Sequence, residues 1–288
     1  MELIDTHCHL DVEAFDPDRQ AVLARARANG LKAIVVPGVM APGWDYLWRF
    51  CASEPDLYPA LGLHPVYLER HQTADLAALE ALLAGRRPVA VGEIGLDYFV
   101  TGLDRERQQL LFEAQLEMAR DADLPVILHV RKAHDAVLAT LRRIRVPGGI
   151  AHAYNGSLQQ AQQYIDFGFK LGFGGMLTYE RSRRLRLLAQ ELPVEAIVLE
   201  TDAPDLTVAQ HRGTRNSPEY LPHCLAALAE VRGESREDTP DCCASPGAAL
   251  RSGPVRRSPA LWPPPAVLAR AGATGGNARR SACHRTPA

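Results

Sequence analysis

Leu3-Ile4-Asp5-Thr6-His7-Cys8-His9-Leu10 is the stretch from which the rest of the chain can be read. Its apolar opening predicts a strand, and successive side chains of a strand point to opposite faces. His7 and His9 then share one face and Cys8 takes the other. Two imidazoles on one face suit a single divalent metal. Taken alone, they equally suit two unrelated polar residues at a strand end. The wider sequence favours the metal, because Glu93, His129, His152 and Asp202 each lie at or just past another apolar run of strand character.

Working outward, strand and helix patterns alternate. Short apolar runs predict strands over 3–9, 33–36, 57–63, 89–92, 126–128, 148–151, 170–173 and 196–199. Helical patterns fall between them. One is opened by Asp16-Pro17 and closed by Asn29-Gly30, and a long one runs over 104–122 until Leu124-Pro125 stops it. A last helix over 221–231 ends near Gly233. This repeat argues for an α/β fold, a (β/α)8 TIM barrel. Such barrels take about 250 residues, which residues 1–236 fit. An open doubly wound sheet is the alternative, but it would spread His7 and Asp202 along a crevice. A barrel gathers all its strand ends round one mouth.

Composition sets limits on function. The chain has 288 residues, is 47% hydrophobic and carries a formal charge of −2, so it can bury a large core and has no overall basic field. A nucleic-acid substrate would need a local patch or metal ions to meet its phosphates. The six cysteines, Cys8, Cys51, Cys224, Cys242, Cys243 and Cys283, form no regular framework. They suit a reducing compartment better than a disulfide scaffold. Neither a signal peptide nor a run of about 20 apolar residues is evident, and the expectation is a soluble, cytoplasmic protein with no membrane or obligate protein partner.

From about residue 237 the text changes. Ile, Phe, Tyr, Met and Lys vanish, and Pro, Ala, Arg, Gly and Ser dominate through Arg256-Arg257-Ser258-Pro259 and Trp262-Pro263-Pro264-Pro265. That composition cannot bury enough surface to offset its ordering entropy, so residues 237–288 are expected to be a low-complexity, disordered tail. The surplus of arginines would suit a basic arm for nucleic acid. A change of reading frame in a GC-rich gene would leave the same mixture.

Four histidines and two carboxylates at strand ends suffice for two divalent ions, drawn from Zn, Mn, Mg, Ni or Co. The expected metal ligands are His7, His9, Glu93, His129, His152 and Asp202. Glu93 is the natural bridge, with His7, His9 and Asp202 completing one site and His129 and His152 the other. Paired ions activate a water and stabilise both oxygens of a phosphoryl displacement. Asp202 also suits a base or orienter of the attacking water, so Glu93 and Asp202 are the catalytic candidates. His71, His134, His211, His223 and His284 read as ordinary surface or cap residues, and Asp97 as a carboxylate lying further along a loop.

These residues resemble a known family. Asp5-Thr6-His7-Cys8-His9, Gly62-Leu63-His64-Pro65, Gly92-Glu93-Ile94-Gly95-Leu96-Asp97-Tyr98, His129-Val130-Arg131, Glu200-Thr201-Asp202-Ala203-Pro204 and Arg215-Asn216-Ser217-Pro218 look like the TatD-type metal-dependent deoxyribonucleases, within the amidohydrolase-like barrels. The resemblance covers residues 1–236. It implies a DNA phosphodiesterase trimming strand ends, with the six ligands above and with His64 and Arg131 at the substrate phosphate. His152-Ala153-Tyr154-Asn155-Gly156 departs from the family's usual His-Cys-Phe-x-Gly, with the ligand kept. Relatives also continue past Gly233-Glu234-Ser235 into a final helix that Thr239-Pro240 and the following text cannot supply. Two other readings stand beside the nuclease. One is a barrel hydrolase cutting a C–N or ester bond, disfavoured because no lysine takes the Glu93 position. The other is a non-catalytic product made unstable by its tail.

Overall fold

The computed structural model describes residues 2–235. Eight parallel strands follow one another round a single sheet in chain order: β1 (Leu3–Asp5), β2 (Leu31–Pro37), β3 (Leu57–Leu61), β4 (Ala90–Asp97), β5 (Val126–Arg131), β6 (Gly149–Ala151), β7 (Phe169–Phe173) and β8 (Ile197–Leu199). Parallel neighbours need long crossovers, and a helix supplies each one. These are α1 (Arg19–Ala28), α2 (Trp44–Ser53), α3 (Thr73–Gly85), α4 (Arg105–Asp121), α5 (His134–Arg143), α6 (Leu158–Asp166) and α7 (Arg183–Glu191), and α8 (Leu221–Arg232) follows the last strand. The end of the sheet meets its beginning, because the Thr6 amide and hydroxyl both donate to the Leu199 carbonyl, at 3.1 and 3.0 Å. The expected barrel is therefore the fold.

Several boundaries differ from the sequence expectation. β1 stops at Asp5, before His7, whereas β4 and β5 run on through Glu93 and His129. The first helix begins at Arg19 and not at Asp16-Pro17. Arg19 instead ties the preceding loop, donating to the carbonyls of Leu10, Asp11 and Val12 at 2.8, 3.2 and 2.9 Å. The other signals read from the sequence hold: α4 runs within the expected 104–122, and α8 closes on Gly233 in the left-handed conformation, φ 66°. The tail expected beyond residue 236 lies outside the described residues. No helix of the described residues is long and apolar enough to cross a membrane.

The apolar side chains separate into two bodies. Ile4, Ala33, Val35, Ala60, Ala90, Ile127, Ile150 and Val198 fill the barrel, and a second cluster packs the outer strand faces against the helices. Burying one such Val, Leu or Ile contributes about 1.5–3 kcal/mol, so the filled barrel is a rigid floor for what stands above it. Four strands keep a period of two from that floor to their ends. Ala60 leads to His64, Ile127 to His129, Ile150 to His152 and Val198 to Asp202.

In β1 and β4 the period breaks. Ala90 belongs to the barrel filling, yet Val91, Ile94 and Leu96 all pack outward, and 91 and 94 are an odd number apart. The pairing of β4 with β5 shifts register between Val91 and Ile94. A bulge of this kind re-aims a side chain, and here it turns Glu93 inward. Gly95 allows the close pairing that follows, since a Cβ there would lie 2.0 Å from the His129 carbonyl oxygen. In β1, Ile4 faces the filling while Cys8 and Leu10 pack outward, so His7 and His9 are also turned in.

Candidate metal centre

The strand ends converge on a cleft of about 1090 Å3 lined by His9, His64, Glu93, His129, His152 and Asp202. His7 lies beneath them, fully buried. The chain holds it by both ends of a short bracket. Asp5 Oδ1 accepts the His7 amide at 3.2 Å and the Thr201 amide at 2.9 Å, while Asp202 donates its amide to the His7 carbonyl at 2.8 Å. Burial raises the Asp5 pKa to about 7, although Thr201 and the His7 amide pull it down.

Glu93, only 2% exposed, turns its two oxygens to different groups. Oε2 lies 3.2 Å from His7 Nε2 and 3.6 Å from His9 Nε2. Oε1 lies 3.2 Å from both His129 Nδ1 and His64 Nε2. Burial opposes the Glu93 charge, but His64, His7 and His129 more than offset it and hold its pKa well below the ordinary value. Asp202 spans the other side. Its Oδ1 lies 3.7 Å from Nε2 of both His7 and His9, and its Oδ2 lies 3.6 Å from His152 Nε2.

The rings are held in ways that bear on metal binding. A carbonyl only accepts, so the Pro37 oxygen 3.2 Å from His9 Nδ1 keeps the proton on that nitrogen and leaves Nε2 with its lone pair. Glu200 Oε1 lies 3.0 Å from His152 Nδ1, though not aligned as a hydrogen bond, and its charge favours the same tautomer there. His7 Nε2 and His9 Nε2 are 3.2 Å apart, and His7 Nδ1 is buried without a hydrogen-bond partner. Imidazole nitrogens and carboxylate oxygens thus crowd one another, and the protons shared among them are ones a cation can displace. That donor set fits divalent cations.

His64 differs. Its Nδ1 accepts the Val66 amide at 3.1 Å, which places its proton on Nε2. Nε2 is then a hydrogen-bond donor and not a free lone pair. Burial pushes the His64 pKa down to about 4 against the pull of Glu93, so the ring is uncharged at neutral pH.

All eight residues singled out from the sequence reach this mouth, but their grouping differs in part. His7, His9 and Asp202 gather as expected. His129 does not pair with His152. Its Nε2 lies 2.9 Å from Asp97 Oδ2, which turns the ring onto β4, whereas His152 stacks on His7 with ring centres 3.6 Å apart. Arg131 is exposed at the rim, its guanidinium carbon 3.7 Å from the centre of the Phe99 ring.

Asp97 and Glu200 are the carboxylates that sequence reasoning missed. Asp97 is no loop residue: it ends β4, is 1% exposed, and accepts the Phe99 and Val100 amides at 2.8 and 2.9 Å. Burial opposes its charge, but His129 and those amides bring its pKa to about 2. The period of two from Val198 would have pointed Glu200 inward, had the run been followed past the strand. Of the histidines read as surface or cap residues, His71 does cap the short helix Pro65–Arg70, but both it and His134 are buried. His71 Nε2 donates to the His64 carbonyl at 2.8 Å, and His134 lies 3.2 Å from both the Tyr164 hydroxyl and Asn155 Oδ1.

The chain is similar to known proteins over most of its length. Residues 4–245 match the family described as TatD related DNase. The metal-dependent hydrolase YjjV of Escherichia coli (strain K12) is 42% identical over 82% of this chain and 92% of its own length. A crystal structure of YjjV, a TatD homologue from Escherichia coli K12, superposes with a TM-score of 0.79 at 41% identity, covering 82% of this chain and 93% of that one. The 3'-5' ssDNA/RNA exonuclease TatD of Klebsiella pneumoniae (strain 342) is 34% identical over 82% of this chain and 92% of its own length.

Proposed function

This chain belongs to the TatD related DNase family and is a metal-dependent hydrolase of that family, and from that premise we propose that it hydrolyses phosphodiester bonds at the ends of DNA strands. Two divalent ions would be held by His7, His9, Glu93, His129, His152 and Asp202. One observation carries the reading. The Glu93 carboxylate directs Oε2 at His7 and His9 and Oε1 at His129, the disposition of a group that bridges two cations. A relative named as a 3'-5' ssDNA/RNA exonuclease supports single-stranded ends as the substrate. The free, buried cysteines Cys8, Cys51 and Cys224 support a reducing, cytoplasmic setting.

Bound ions would supply Lewis-acid polarisation of the phosphoryl group and an activated water. The chain's own residues account for the rest. Asp202 lines the cleft and has a carboxylate oxygen on either side of its site, so it is placed to take the proton of the attacking water. His64 offers a neutral Nε2–H to a phosphoryl oxygen, and Arg131 offers a charged planar fork to the same phosphate. The test is cleavage of single- and double-stranded DNA by purified protein loaded with Mn or Zn, with and without chelator. Chelator-reversible release of nucleotides is expected. Metal-loaded protein that cuts no DNA would overturn the reading.

A further inference from the structure

The end of the segment joining β7 to α7 and the first turn of α7 bring Arg181, Arg183 and Arg184 to the wall of the cleft that holds Glu93, His129 and Asp202. All three arginines are exposed, and none is paired with a carboxylate among the described residues. Arg25, Arg27, Arg143, Arg186 and Arg215 each meet an Asp or Glu. Other arginines, such as Arg49 and Arg145, do not among the described residues, but Arg181, Arg183 and Arg184 are the ones grouped on the cleft wall. Arg184 donates to the Gly156 carbonyl at 2.8 Å, so it is partly structural. Arg181 lies over Tyr179 at 5.4 Å, and Arg183 makes no such contact. The placement also works against the helix. Cations in a first turn oppose the helix dipole, α7 has no acidic residue there, and its N-cap Ser182 makes no side-chain capping bond. In a chain of net charge −2, unpaired arginines set against local stability and facing a reaction cleft call for an anion.

We propose that Arg181 and Arg183 form a second anion subsite, which holds the phosphodiester backbone of a single-stranded nucleic acid one or more nucleotides from the bond being cut. The inference rests on the phosphodiesterase reading above. Arg131 lies further round the same mouth, at the end of β5. A strand several nucleotides long therefore meets cationic contacts at more than one place on the rim of the cleft. A small phosphodiester meets only the centre itself. The preference for a polymer then appears in binding and KM, not in the chemical step.

The experiment compares wild type with the double variant Arg181→Gln, Arg183→Gln, both metal-loaded. Binding of a fluorescent single-stranded ten-nucleotide DNA is followed by anisotropy across a salt series, and turnover of bis(p-nitrophenyl) phosphate is measured beside it. The variant is expected to bind the strand about 10-fold more weakly. Its slope of log affinity against log salt should be shallower by about 1.4, for two lost phosphate contacts at roughly 0.7 each. Turnover of the small ester should be unchanged, which also shows that the variant is folded. Wild-type affinity and slope in the variant would overturn the subsite, as would equal losses on both substrates. If wild type cleaves neither the small ester nor DNA, the phosphodiesterase reading falls, while the anisotropy series still decides whether the arginines bind a strand.

Discussion

Glu200 Oε1 lies 3.0 Å from His152 Nδ1 and also accepts the Ala153 amide at 2.6 Å, so one buried carboxylate steers both the ring and the turn that carries it. Removing such a partner usually costs about 10- to 100-fold in metal affinity. Glu200→Gln should show that loss in a chelator-competition titration, with an unchanged circular dichroism spectrum. Gly172 makes a second approach to the same contact, because a Cβ there would lie 2.2 Å from Glu200 Oε2. Gly172→Ala should displace the carboxylate and weaken metal binding in the same direction. Full affinity in both variants would leave Glu200 without an orienting role.

Glu93→Gln keeps the size of the proposed bridging residue and removes its charge. Metal content should fall and most metal-dependent hydrolysis should be lost. The barrel should still fold, because Glu93 stands above the apolar filling and not within it. Asp97 cannot substitute, since it is already committed to His129 and to two backbone amides. A Glu93→Gln protein with full metal and wild-type cleavage would remove the two-metal mechanism.

His64 is expected to act through Nε2–H. Nitrogen-15 NMR of the metal-free protein should show the Nε2-protonated tautomer, fixed by the Val66 amide at Nδ1. His64→Ala should leave metal content intact and lower kcat by about 10²-fold, the usual effect of losing one donor to a reacting oxygen. Loss of metal in step with activity would instead make His64 a ligand.

The pH dependence has a definite sign. Burial opposes the imidazolium of His152, but Glu200 and Asp202 more than offset it and raise its pKa well above 6.5. His129 is raised in the same way by Asp97 and Glu93. A divalent ion must displace those protons, so apparent metal affinity should rise with pH, with proton release visible in calorimetry across buffers of different ionisation enthalpy. For the metal-free fold, the stabilisation from these imidazolium groups is complete below 6.5 and is lost as pH rises through the raised values. The metal-free thermal midpoint should therefore decline over that window. A midpoint that rises instead would refute the assignment.

The barrel was legible because its signals are local and repeated. Each strand is a short apolar run, each helix has its own period, and alternation in the text leaves few topologies. On β3, β5, β6 and β8 the site was legible for the same reason, since strict alternation carries the barrel filling to His64, His129, His152 and Asp202. Glu93, His7 and His9 were found by residue type and motif, yet alternation from Ala90 or Ile4 would have pointed Glu93 and His7 outward.

Which way those side chains face is decided by the register of neighbouring strands. The shift between Val91 and Ile94 is imposed by pairing with β5, and the turn after Asp5 is held by Thr201, 196 residues along the chain. The partners of the rings were hidden for a related reason. Asp97 reaches His129 because β4 and β5 set their ends side by side, and Glu200 reaches His152 across β7, where Gly172 leaves room for its carboxylate. By itself, the sequence determined the fold class and the types of donor atom at the mouth. Tertiary structure decided their grouping, the proton positions of His9 and His64, and the arginines that share the cleft, because each depends on groups brought together by the closed sheet.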